Sequence, residues 1–153
     1  MDVEDILRTN SNLSLTKKAV VSLLFTNAII NNILNDALKP FDISLQQFHV
    51  LRILRSQNDK PISLETLQEL MTNKMSNTTR LVDKLIKKGY VIKEINKTNR
   101  RKIDITITQE GLNITETIDK VMDGTEGEII GSLTNNETHD LIRLLGKIRL
   151  IAN

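Results

Sequence analysis

The 153-residue chain contains no cysteine. That absence excludes disulfides, zinc–thiolate sites, thiol nucleophiles and thiol-based redox sensing. Aromatic residues are nearly missing too: Phe25, Phe41, Phe48 and Tyr90 are the whole set. A core must therefore be mainly aliphatic, and a hydrophobic content of 39% is enough for one domain. Apolar runs such as AVV, LLF and AII are each broken by polar residues, so no segment spans a bilayer. The start, MDVEDILRTN, is acidic and lacks the apolar stretch of a signal peptide, which sets the expectation of a cytoplasmic protein without membrane contact. P-loop, GxGxxG, HExxH and nucleophile-elbow patterns are absent. His49 and His139 are the only histidines and lie far apart, and neighbours such as Glu126 and Glu128 read as solvated helix charges. No catalytic residue, metal site or cofactor is expected, and the chain does not read as an enzyme.

What is present is charge, unevenly placed. Net charge is +2, yet residues 74–102 hold ten of the 21 Lys and Arg but two of the 19 Asp and Glu. That stretch carries +8 and the remainder −6. A basic island in an otherwise acidic chain is the electrostatic footprint of a nucleic-acid-binding surface. The blander reading, a solvated lysine-rich face, explains the contrast less well.

Periodicity predicts helices. Ala19, Val20, Leu23, Leu24, Ile30, Ile33, Leu34 and Leu38 recur at helical spacing over 15–38, with Ser14 as N-cap and Pro40 as stop. Val21, Phe25 and Ile29 add a second apolar stripe, so this helix must bury more than one face. Ser44 with Gln47 forms a capping-box pattern before a helix whose inner face is Phe48, Leu51 and Leu54. Ser63 caps a short helix carrying Leu64, Leu67 and Leu70. A turn at 72–74 then leads to a helix over 75–88, with Leu81, Val82, Leu85 and Ile86 inside and Gly89 as C-cap. Its other face collects Ser76, Asn77, Arg80, Asp83, Lys84 and Lys87. Thr108 and Thr134 cap two further helices; glycines 124, 127 and 131 are expected to loosen the end of the first of them.

Between those helices, Ile103, Ile105 and Ile107 alternate with Asp104, Thr106 and Thr108, a strand pattern. With YVIKEI before the polar turn at 96–99, it makes a hairpin over 90–108. Helix-turn-helix followed by a hairpin is a winged helix. Arg100 and Arg101 fall at the wing tip, placed to reach phosphates or a minor groove. The fold class expected is mainly α (α+β): a winged helix-turn-helix at 41–108 with helical dimerisation regions at 1–40 and 109–153, all one unit. The flanking helices carry more apolar surface than so small a winged helix can cover, which calls for a partner, most simply a second copy.

From 44 to 111 the residues resemble the MarR/SlyA family of bacterial transcription regulators. Ile43-Ser44 followed by Gln47 and Leu51 is similar to the family's Leu-Thr-x-x-Gln-x-x-x-Leu opening. MSNTTRLVDKLIKKGYV looks like the recognition helix and first wing strand, and ITITQEG like the Leu-Thr-x-x-Gly after the wing. One departure stands out: where the family wing carries Asp-x-Arg, this chain has Asn99-Arg100-Arg101. Asn99 can still hydrogen-bond Arg101 but cannot form a charge-assisted pair. The resemblance implies a homodimeric regulator, in the first instance a repressor, that reads a pseudo-palindromic operator in double-stranded DNA. It also implies a small-molecule effector, an amphipathic aromatic acid, between the dimer helices and the winged helix. Phe25, Phe48 and His49 are candidate walls of that pocket, with core packing the stronger reading of both phenylalanines.

The DNA-binding candidates are Lys74, Ser76, Asn77, Thr79, Arg80, Lys84, Asn99, Arg100, Arg101 and Lys102. Arg80 can pair bidentately with a guanine edge, or form an i,i+3 pair with Asp83; the basic surroundings favour DNA. Asn77 can read adenine or cap its helix. Lys84 suits a phosphate better than a base. Two alternatives remain open from sequence: an architectural DNA binder without effector, and a protein–protein module on a winged-helix scaffold.

Overall fold

The computed structural model describes residues 13–58, 60–71 and 77–152. Each element boundary within them has a local cause. Helix α1 (Leu15–Leu38) begins where the Ser14 hydroxyl accepts from the Lys17 amide, and it gives way to a 3-10 turn at Lys39–Phe41, where Pro40 has no N–H to continue the ladder. Helix α2 (Leu45–Ser56) opens on a full capping box. Ser44 Oγ accepts from the Gln47 amide at 3.2 Å, and Gln47 Oε1 accepts from the Ser44 amide at 2.8 Å. Strand β1 (Ile62–Ser63) runs into α3 (Leu64–Leu70), capped by Ser63. Helix α4 (Thr78–Lys87) stops at Gly89. Its φ of +77° lets the Gly89 amide donate to Ile86 O and the Tyr90 amide to Leu85 O, closing the last turn.

Strands β2 (Val91–Ile95) and β3 (Ile103–Ile107) form the expected hairpin, Val91 opposite Ile107 and Ile95 opposite Ile103. β1 pairs along the other edge of β3, giving an antiparallel sheet of order β1-β3-β2. Val91, Ile105 and Ile107 are buried against the helices, whereas Ile103, on the same face, is 42% exposed. The alternation is as the sequence predicts; burial ends earlier because the hairpin reaches past the helices it packs on.

Helix α5 (Gln109–Ile130) follows the Thr108 cap, and α6 (Asn135–Arg149) follows a second capping box between Thr134 and Glu137. The glycines expected to loosen the end of α5 do so at Gly131 alone; Gly124 and Gly127 sit inside the helix. Each costs about 1 kcal/mol against alanine, but a helix already nucleated gains one hydrogen bond for every residue added. The inner face of α5, where Thr115, Ile118 and Met122 are buried, anchors it.

The core joins Phe48, Leu51 and Leu54 of α2, Leu67 of α3, Leu85 of α4, Ile105 of β3 and Ile118 of α5. Leu70 of α3, grouped by spacing with Leu64 and Leu67, is 48% exposed. Helix α1 joins this core only at its C-terminal end, and α6 contributes nothing buried to it. Only Leu38 of α1 is buried, and none of α6 is. Val20, Leu24, Phe25 and Ile29 on α1, and Ile142, Leu144 and Ile148 on α6, are all left exposed.

Candidate nucleic-acid interface

Helix α4 is sharply two-sided. Thr78, Leu81, Val82 and Leu85 are buried, and Thr79, Arg80, Lys84 and Lys87 are exposed. The buried polar member is satisfied, because the Thr78 hydroxyl donates to the Gln68 side-chain oxygen and so pins the start of α4 to α3. Asn77 is the helix cap: its Oδ1 accepts from the Arg80 amide at 3.0 Å. That bond uses one of the two acceptor positions of the amide oxygen and leaves its Nδ2 outside the cap. Lys74 and Ser76 lie outside the described residues.

Arg80 and Asp83 do not pair. Asp83 Oδ1 accepts instead from Lys93 Nζ of β2 at 2.9 Å. Among the described residues Arg80 has no carboxylate partner, and its side chain is left facing solvent. Sequence reasoning missed Lys93, which it placed on a strand without a role; its only signal is membership of the basic stretch.

The wing turn is a hydrogen-bonded unit built on Asn96. Its Oδ1 accepts from the Thr98 and Asn99 amides at 3.0 and 2.7 Å, and its Nδ2 donates to Asp104 at 2.8 Å. Asn99 does bond Arg101, but through the backbone: Asn99 Oδ1 accepts from the Arg101 amide at 3.1 Å. The side chain that replaces the usual wing acid thus shapes the turn. Arg100, Arg101 and Lys102 are all exposed, and Lys102 Nζ lies 3.7 Å from Glu65 of α3. Arg101 and Lys102 share with Thr79, Gln68 and Ser63 the walls of an open cleft of about 420 Å³. The fold therefore joins the wing root and the start of α4 on one side of the molecule.

At the opposite end of α4, Lys88 forms an ion pair with Asp42, whose φ of 52° is left-handed. The hydrogen bond from Lys88, and then its charge, hold the Asp42 carboxyl below its ordinary range. The three residues considered for an effector pocket are dispersed in character. Phe48 is wholly buried in the core, with the Arg52 guanidinium 5.7 Å from its ring centre. Phe25 is 42% exposed on α1, and His49 is half-buried on α2. Burial, helped by the Arg52 charge, lowers the His49 pKa.

The MarR family model matches residues 43–103, which cover α2 through the start of β3. The chain is 33% identical over 86 residues to the HTH-type transcriptional regulator SarZ of Staphylococcus haemolyticus, a match over 56% of this chain and 57% of SarZ. The chain thus spans little more than half the length of that relative. Solved structures extend the likeness to nearly the whole fold. A MarR-like transcription regulator from Bacillus cereus superposes with a TM-score of 0.81 at 25% identity, over 90% of this chain and 98% of that one. The winged-helix region of the chain matches the MarR family. The family is one of transcription regulators rather than enzymes. A cysteine-to-serine variant of MarR from Escherichia coli, solved in complex with operator DNA, superposes with a TM-score of 0.78 at 27% identity over 90% and 99% of the two chains. In this MarR-like fold α3 and α4 are the helix-turn-helix, β2 and β3 are the wing, and α1, α5 and α6 are the flanking helices. No helix among the described residues is long and apolar enough to cross a membrane.

Proposed function

We propose that this protein is a cytoplasmic transcription regulator that binds double-stranded DNA as a homodimer, laying α4 in the major groove while Arg100 and Arg101 of the wing touch the flanking backbone or minor groove. The observation that carries the reading is Arg80, exposed on α4 and without a carboxylate partner among the described residues, on the same face as Thr79 and Lys84. An arginine held out from a helix in this way is the side chain suited to bidentate readout of guanine. The likeness to an operator-bound MarR chain supports the same arrangement.

Dimerisation is supported by the apolar surface of α1 and α6, which the chain's own core leaves uncovered. Exposed apolar stripes on two flanking helices are covered most simply by the same stripes of a second copy. A two-fold protein matches a pseudo-palindromic site whose half-sites are about one helical turn apart. Repression follows as the mode of action if that site overlaps a promoter. A small amphipathic ligand bound between the dimer helices and the winged helix, near Phe25 and His49, would tune affinity by favouring one spacing of the two α4 helices.

A fluorescence-anisotropy titration against a pool of duplexes at low salt tests the reading. Saturable binding that weakens steeply with salt is expected. No binding at low salt would leave the winged helix as a protein–protein module, and binding unaffected by any sequence change would leave an architectural role.

A further inference from the structure

We infer that Lys93 is a positioning residue for Arg80: by holding Asp83, it keeps the one carboxylate on the exposed face of α4 away from both Arg80 and the DNA. The inference rests on the DNA-binding reading above and adds a residue to it that the recognition helix does not itself contain.

Asp83 stands three residues after Arg80 and four before Lys87, so on an isolated helix it neighbours both. A carboxylate there does two kinds of harm to a DNA-reading surface. It can capture Arg80 in an i,i+3 pair, and it sets a negative charge against phosphates. Asp83 is nonetheless accessible, with 48% of its side chain exposed. What neutralises it comes from another element. Lys93 lies on β2 opposite Ile105, on the sheet face that turns toward α4, and its Nζ reaches Asp83 Oδ1 at 2.9 Å. The neighbouring residues on that face, Val91 and Ile105, are buried, so the strand is held in register and the lysine arrives from a fixed direction. Arg80 is then left without a carboxylate partner among the described residues.

Two simpler accounts make different forecasts. If Lys93 only tethers the wing to α4, removing it should harm binding whether or not Asp83 is charged. If it only adds positive charge, removing Asp83 should tighten binding equally with and without Lys93. Under the positioning account, the effect of Asp83 depends on Lys93.

The experiment is a double-substitution cycle of Lys93→Ala and Asp83→Asn on the full chain, read as affinity for a selected duplex and for the same duplex changed at the base that Arg80 discriminates. Lys93→Ala is expected to lower affinity for the selected duplex by about tenfold, within the range for removing one base-reading side chain, and to shrink discrimination at that base. Asp83→Asn alone is expected to change affinity by no more than about twofold, because an exposed, already paired carboxylate contributes little. The double variant is expected to regain most of the affinity and the discrimination, and Lys93→Arg to keep both. Melting curves check that all variants fold, as an exposed ion pair contributes little to stability. Additive effects, or loss of affinity with discrimination unchanged, would overturn the inference while leaving DNA binding intact. Failure of the unsubstituted chain to bind any duplex would sink both readings.

Discussion

Gly111 approaches Tyr90 so closely that a Cβ at position 111 would stand 2.2 Å from the Tyr90 carbonyl oxygen and 2.7 Å from Ile107 Cγ1. The first turn of α5 is thereby seated on the corner between α4 and β2. The Thr108 hydroxyl strengthens the same corner by donating to Gly89 O at 2.7 Å while accepting from the Gly111 amide at 3.0 Å. This junction joins the winged helix to the long flanking helix, and backbone cannot yield there as a flexible side chain would.

Gly111→Ala should therefore destabilise the chain even though alanine favours a helix. The clash with backbone should exceed the propensity gain of about 1 kcal/mol and cost a net of roughly 1–3 kcal/mol, as overpacking in a tight site does. Urea unfolding followed by circular dichroism measures it. An unchanged or raised midpoint would mean that α5 can shift off the corner freely.

His49 supplies a pH signature. Its folded pKa lies below the ordinary 6.5, chiefly through burial. A lowered folded pKa means the unfolded chain takes up the proton first. Its contribution is therefore fully present above the unfolded pKa and lost as pH falls through the folded one. As pH falls from the ordinary value of 6.5 through the lowered folded pKa, stability should decline with acid. The decline should be shallower in His49→Gln. Parallel pH profiles for the two proteins would show that His49 titrates freely in the folded state.

Much of the fold can be read from the sequence because its strongest signals are local. Ser14, Ser44, Ser63, Thr108 and Thr134 each cap a helix across three residues, and each is visible as a short polar pattern before an apolar run. The period-two isoleucines mark β3 for the same reason. Side-chain partnerships are not legible in this way. Asp83 has neighbours of opposite charge on its own helix, and only the placement of β2 against α4 decides that it pairs with Lys93. Sequence allows a hydrogen bond between Asn99 and Arg101 without saying which atoms make it, and the turn directs it to the backbone amide. Gly124 and Gly127 mislead because propensity is a local cost that a long, anchored helix can carry.

The wing should act through phosphate charge. Arg100→Ala combined with Arg101→Ala should weaken binding to all duplexes alike and reduce the salt slope by about one unit for each phosphate no longer neutralised. Asn99→Asp should keep the turn, since a carboxylate accepts from the Arg101 amide as the amide oxygen does. It should tighten binding slightly if the new charge also orders the Arg101 guanidinium. A salt slope unaltered by the double substitution would place the wing away from DNA.

Assembly can be tested on residues that the single chain leaves exposed. Leu144 and Ile148 are 48% and 45% exposed on one stripe of α6, so glutamate at both should leave the subunit folded. The same charges, trapped between two copies, would have no partners, and the variant should sediment as a folded monomer. A variant that remains dimeric would move the interface elsewhere.

The most direct measurement is selection of bound duplexes from a random pool by the unsubstituted chain and by Arg80→Ala. The unsubstituted chain should enrich a pseudo-palindrome with half-sites centred about one helical turn apart. Arg80→Ala should enrich the same spacing with one base position relaxed in each half-site, at a cost of about 1–3 kcal/mol on the original sequence. Enrichment of no sequence, or of asymmetric sites unaffected by the loss of Arg80, would contradict a dimeric regulator that reads DNA through α4.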